Sequence, residues 1–132
     1  RYNSTPLWSY ETGDNVRTVA ISADGEYIVA GSMDDKVYLF DKDSSTPLWS
    51  YNIGDYVYSV AISADGEHIT AGTGGNDDKV YLFDKDSSTP LWTYTGGSTF
   101  TVDISADGEY IVAADGLGRV YLVYYGQHNQ IR

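Results

Sequence analysis

Residues Ser45–Asp86 read STPLWSYNIGDYVYSVAISADGEHITAGTGGNDDKVYLFDKD, and nearly all of this stretch occurs again on either side of it. Trp8, Trp49 and Trp92 are spaced by 41 and 43 residues, and Asp24, Asp65 and Asp107 of the ISAD(G) segments by 41 and 42. Val37, Val80 and Val120, which open VYLF, VYLF and VYLV, are 43 and 40 apart. Small insertions therefore fall between the anchors while the anchors hold. A period of about 40 residues marks a unit that buries its apolar faces against copies of itself.

Three such units use all 132 residues, which predicts a single domain over 1–132 with repeats at about 4–43, 45–86 and 88–123 and a divergent tail at 124–132. Each unit reads as four short strands, with nothing at a helical period. In the first, Pro6–Tyr10 is strand-like and Gly13-Asp14-Asn15 turns the chain. Val16–Ser22 follows, closed by Ala23-Asp24-Gly25, then Glu26–Ser32, the turn Met33-Asp34-Asp35, and Val37–Asp41. Asp-Gly between apolar strands signals a hairpin, because Gly takes positive φ without steric cost and Asp bonds its own turn. VYLFD scarcely alternates, as expected of a strand buried on both faces.

Composition narrows the function. The net charge of −11 and pI near 4.2 exclude a nucleic-acid or anionic-membrane surface, which needs a basic face. Fifteen of the 19 acidic residues are Asp, mostly in turns, so much of the charge is turn chemistry. No cysteine is present, so neither a disulfide frame nor a thiolate metal site exists. No apolar run approaches the ~18 residues of a membrane span. The first residue is Arg1, as expected of a processed or excised chain, and Asn3-Ser4-Thr5 is a glycosylation sequon that matters only in a secreted setting.

The segment ISADGEYIVAGSMDDKVYLFD resembles the WD-repeat family, with its Asp-Gly hairpin, small-residue strand, acidic turn and strand ending in an aromatic followed by Asp. Phe40 and Phe83 hold the place usually taken by Trp, Val123 is the third match, and Asp34 and Asp77 match that family's buried acidic residue. VYLFDKDSSTPLWSY is similar to the repeat of pyrroloquinoline-quinone-type propellers, in which a Trp docks onto the adjacent blade; Trp8, Trp49 and Trp92 match it. Both resemblances imply an all-β fold of β-propeller blades, three four-stranded antiparallel blades per chain, and hybrid blades of this kind imply an extracellular or cell-surface setting over the cytoplasm. Burying 150–250 Å² of aromatic surface at ~25 cal/mol/Å² is worth about 4–6 kcal/mol per Trp, which assigns these residues to structural blade docking.

Propellers carry about 4–8 blades, so three leave apolar outer faces uncovered. The chain is then half of a six-bladed ring closed by a homodimer, or a piece of a larger propeller whose missing blades lie on a longer chain. The outer strand that the last blade lacks is then supplied by PLWSY at the start, within the ring, or, less well, by Gln127–Arg132.

No catalytic constellation is present: the two histidines, His68 and His128, lie in unrelated segments, and His68 reads as a surface strand residue. Asp34-Asp35, Asp77-Asp78, Asp41-x-Asp43 and Asp84-x-Asp86 match no full Ca²⁺ loop and read as solvated turns, so no metal and no cofactor is expected. The copies disagree where each chain enters the Val16-type strand. Aligned on ISAD, Asn15, Tyr56 and Ser98 share one position and Arg17, Tyr58 and Phe100 another, on the rim of the channel face. Variation on one face of a shared scaffold points to binding of a protein or glycan partner there. The expected function is a non-enzymatic binding module, with a glycan-binding lectin or a quinoprotein fragment as alternatives.

Overall fold

A computed structural model describes residues 5–75, 78–96 and 100–125. It is all-β, with eleven strands among the described residues in three antiparallel sheets. The first sheet is β1 (Val16–Ile21), β2 (Tyr27–Ser32), β3 (Lys36–Asp41) and β4 (Trp49–Asn52), hydrogen-bonded in chain order. The second repeats it with β5 (Tyr56–Ile62), β6 (His68–Gly74), β7 (Lys79–Asp84) and β8 (Trp92–Thr95). The third holds β9 (Thr101–Ile104), β10 (Tyr110–Ala114) and β11 (Val120–Tyr124), so its fourth place is empty among the described residues. These are propeller blades, and β5, first strand of the second blade, packs against both β1 and β9. The ring is not closed.

The strand reading of Pro6–Tyr10 is corrected, since this segment forms no ladder. Its counterparts β4 and β8 are the fourth strands of the blades that precede their own repeats, and no such blade lies before Pro6–Tyr10 among the described residues. A strand without an edge to pair with is not a strand.

Each Ser-Ala-Asp-Gly hairpin closes in the same way. Ser22 Oγ donates to Asp24 Oδ1 (2.7 Å), which also accepts the Glu26 N–H (3.0 Å), while Ser22 Oγ accepts the Tyr27 N–H (3.1 Å) and Gly25 takes φ 76°. Ser63-Asp65 and Ser105-Asp107 repeat these bonds.

Blades meet through side chains and a relay between these hairpins. The N–H of Ala23 donates to the C=O of Ala64 (3.0 Å), and that of Ala64 to the C=O of Ala106 (2.9 Å). Thr18 Oγ1 accepts the Val60 N–H (3.2 Å), and Ser59 Oγ accepts the Val102 N–H (3.1 Å). The main core lies between the first two blades, where Val29, Val37 and Leu39 meet Val57, Val60, Ile69 and Phe83. The small-residue strands are explained here: a Cβ on Gly31 would lie 2.4 Å from Val57 Cγ1, and one on Gly72 2.6 Å from the Phe100 carbonyl oxygen. The third copy has Ala114 at this position, exposed where no blade follows among the described residues.

Burial reports directly on what is missing. Val37 and Val80 are 0% and 2% exposed but Val120 is 74%; Leu39 and Leu82 are both 0% but Leu122 is 70%. At the other end Val60 and Val102 are each 7% exposed and Val19 is 67%. Identical side chains at equivalent places are covered where a neighbouring blade exists and bare where it does not.

Candidate functional site

The turns entering β1 and β5 bring together three of the six rim residues, Arg17, Tyr56 and Tyr58, with Asn15 at the mouth of the first turn. Asn15 precedes β1, its N–H held by Asp14 Oδ1 (2.7 Å) and its C=O accepting the Met33 N–H (2.8 Å). Tyr56 is held likewise, its N–H donating to Asp55 Oδ1 (2.8 Å). Both strands carry a register shift just inside the turn, between Val16 and Thr18 and between Val57 and Ser59, which places Arg17 and Tyr58 in the bulges. There the Arg17 guanidinium lies 4.6 Å from the Tyr58 ring centroid, and Tyr58 meets Tyr56 edge-on at 6.4 Å. A cation over an aromatic face at an exposed site is worth about 0.5–1 kcal/mol. The result is an exposed Arg on two tyrosines, spanning two blades of a strongly acidic chain.

Ser98 lies outside the described residues. Phe100 is corrected: it is fully buried, with Val80, Val102 and Ala113 around it and its N–H donating to the Thr73 C=O (3.1 Å). Gly72 has no side chain to keep it out, so its ring fills the junction instead of facing the channel. His68 is also corrected, being half-buried rather than a surface residue. Its Nδ1 is buried without a hydrogen-bond partner among the described residues, against Gly108 of the next hairpin as Tyr27 lies against Gly66. His128 and Asp77 fall outside the described residues.

The acidic turns are closed internally. Asp34 takes hydrogen bonds from the Tyr38 hydroxyl, the Gly13 N–H (3.0 Å) and the Lys36 N–H (3.1 Å). In the third blade Asp115 does this work, accepting from Tyr121 Oη (2.9 Å) and the N–H groups of Leu117 and Arg119 (3.0 Å each). Sequence reasoning missed Asp115 because it stands at the start of its turn, six residues before its tyrosine, whereas Asp34 is four before Tyr38. An Asp a few residues ahead of the VYL tyrosine was the available signal. Carboxylates of Glu67, Asp84 and Asp86 lie within 4.8 Å of one another, but Lys85 Nζ is 3.0 Å from Asp86 and 3.9 Å from Glu67, so the charge is partly answered within the turn.

Burial pushes the Asp34 carboxyl up, yet the bonds from Tyr38, Gly13, Ser32 and Lys36 outweigh it and hold the group below its ordinary 3.8. A carboxylate with a depressed folded-state pKa contributes stability that is present above the unfolded value and lost as pH falls through the folded one. Urea unfolding at pH 6 and pH 3 is therefore expected to give a lower midpoint at pH 3, and Asp34→Asn to remove part of that difference. Equal midpoints at the two pH values would contradict this.

Trp8 and Trp49 dock onto neighbouring strands, donating from Nε1 to the Lys42 C=O (2.8 Å) and the Lys85 C=O (2.7 Å). Residues 4–41 and 46–84, 77 of 132 positions, match the family described as WD domain, G-beta repeat. No curated protein matches the chain.

Proposed function

Because this chain belongs to the WD domain, G-beta repeat family, we propose that it is a scaffold holding a protein partner on the face built by Asn15, Arg17, Tyr56 and Tyr58, with its ring completed by a second copy. Repeats of this family indicate a non-enzymatic β-propeller platform for protein interaction. The observation that carries the assignment of this face is the Arg17–Tyr58–Tyr56 stack, in which residues that differ between the copies converge across two rigid strands. Tyr and Arg suit such a role because they offer large contact area and directed hydrogen bonds at modest entropy cost.

Completion by a second copy is supported by the two bare faces. The side of the first blade carrying Val16, Val19 and Ile21 has the chemistry of β5, and the side of the third carrying Val120 and Leu122 has the chemistry that β5 is received by. Head-to-tail contact of two chains pairs each bare face with its counterpart, and a twofold axis closes six blades. The relay then runs on, from the Ala106 N–H to the Ala23 C=O of the other chain.

The partner face is tested with extract from the source organism passed over immobilised wild-type chain and over the Arg17→Ala/Tyr58→Ala variant. Proteins retained by the first and lost from the second are expected. Equal retention by both, or a glycan as the species whose binding is lost, would overturn the assignment.

A further inference from the structure

Trp8 and Tyr10 hold the Phe40 ring between them, with centroids at 5.2 and 5.4 Å and interplanar angles of 34° and 64°. Trp49 and Tyr51 hold Phe83 at 5.3 and 5.4 Å with angles of 37° and 63°. Two separate places in the chain thus build the same receptor for one aromatic ring. Trp92 and Tyr94 offer the pair a third time, but the side chain at the ring position is Val123. Here the pair is nearly parallel, 16° at 6.4 Å, and a cavity of about 200 Å³ opens beside it, walled further by Val80, Ile111, Ala113, Tyr121 and Leu122.

We propose that this cavity is a binding site for a small neutral molecule carrying a single aromatic ring. Apolar cavities of about 150 Å³ stay dry and take up benzene, so the space is sufficient. Flanking rings at tilted and edge-on angles supply the directional preference that aromatic pairs show. The hydroxyl of Tyr121 is engaged by Asp115 at 2.9 Å, and the named walls carry no cationic group, so an anionic ligand such as benzoate finds no counter-charge. All the walls come from one chain, and none of them belongs to the Arg17–Tyr58 face.

Toluene titrated into the full chain, followed by the indole N–H resonances of the three tryptophans, tests the site. The Trp92 signal is expected to shift saturably while those of Trp8 and Trp49 stay in place, and benzoate is expected to leave all three unmoved. Val123→Phe supplies the missing ring internally; it should weaken toluene binding at least tenfold and raise the melting temperature. Val123→Leu, a smaller filling, should weaken binding by less and guards against misfolding of the first variant. No saturable shift in the wild type, equal shifts at all three tryptophans, saturable binding of benzoate, or unchanged toluene binding in both variants would overturn the proposal.

Discussion

Phe83→Ala is expected to lower the unfolding free energy by about 3–5 kcal/mol, the range for removing a fully buried Phe. Phe83 is 0% exposed and lies in the core between the first two blades, with Val29, Val37 and Leu39. Its ring also meets Trp49 at 5.3 Å, Tyr51 edge-on at 5.4 Å and Tyr81 in a stack at 6.2 Å. Truncation removes these aromatic contacts as well as the transferred area, and β-sheets locked by hydrogen bonds on two edges collapse little into the space. Small domains have about 5–15 kcal/mol in total, so the loss should lower the unfolding midpoint in urea by a large fraction of its value. In the monomeric Leu122→Asp chain, Phe40→Ala removes the same side chain from the first blade, where Pro6–Tyr10 is the cover among the described residues, and should cost clearly less than Phe83→Ala there. Urea titrations of both variants read by tryptophan fluorescence decide the matter; equal losses, or a Phe83→Ala loss under about 1 kcal/mol, would show that the junction is not where stability resides.

What was legible in the sequence is what local chemistry fixes. The Ser-Ala-Asp-Gly hairpins, the two-sided burial of VYLF and the repeat length all follow from residues within a few positions of one another, and the blades follow from them. Junctions are different, because their contacts join residues about 40 positions apart. Aligning on ISAD set Phe100 beside Arg17 and Tyr58, but its burial is decided by Gly72 across the junction, which no pattern near Phe100 records. The change from Phe83 to Val123 was visible as a difference of letters. That it leaves a cavity depends on whether Trp92 and Tyr94 move in, which is a property of packing. Pro6–Tyr10 has the composition of a strand, yet a strand is made by its neighbour, and its neighbour is not among the described residues.

Leu122→Asp is expected to abolish self-association while leaving the chain folded. In the single chain Leu122 is 70% exposed, so a carboxylate there stays in water and perturbs little. In a closed ring it occupies the place of Leu39 and Leu82, both fully buried, where an unpaired charge costs several kcal/mol. Val19→Asp on the opposite bare face should act alike, since Val19 stands where Val60 is buried. Light scattering on the wild-type chain should give about twice its 14.5 kDa mass, and on either variant the mass of one chain with an unchanged far-ultraviolet spectrum. Ala114 refines the test: it stands at the position of Gly31, whose Cβ would come within 2.4 Å of Val57, so its methyl holds the closing junction slightly wider than the internal ones. Ala114→Gly should accordingly tighten the dimer. A wild-type chain that is monomeric at 100 micromolar concentration, or dimers that survive both aspartates, would mean that something other than a second copy covers these faces.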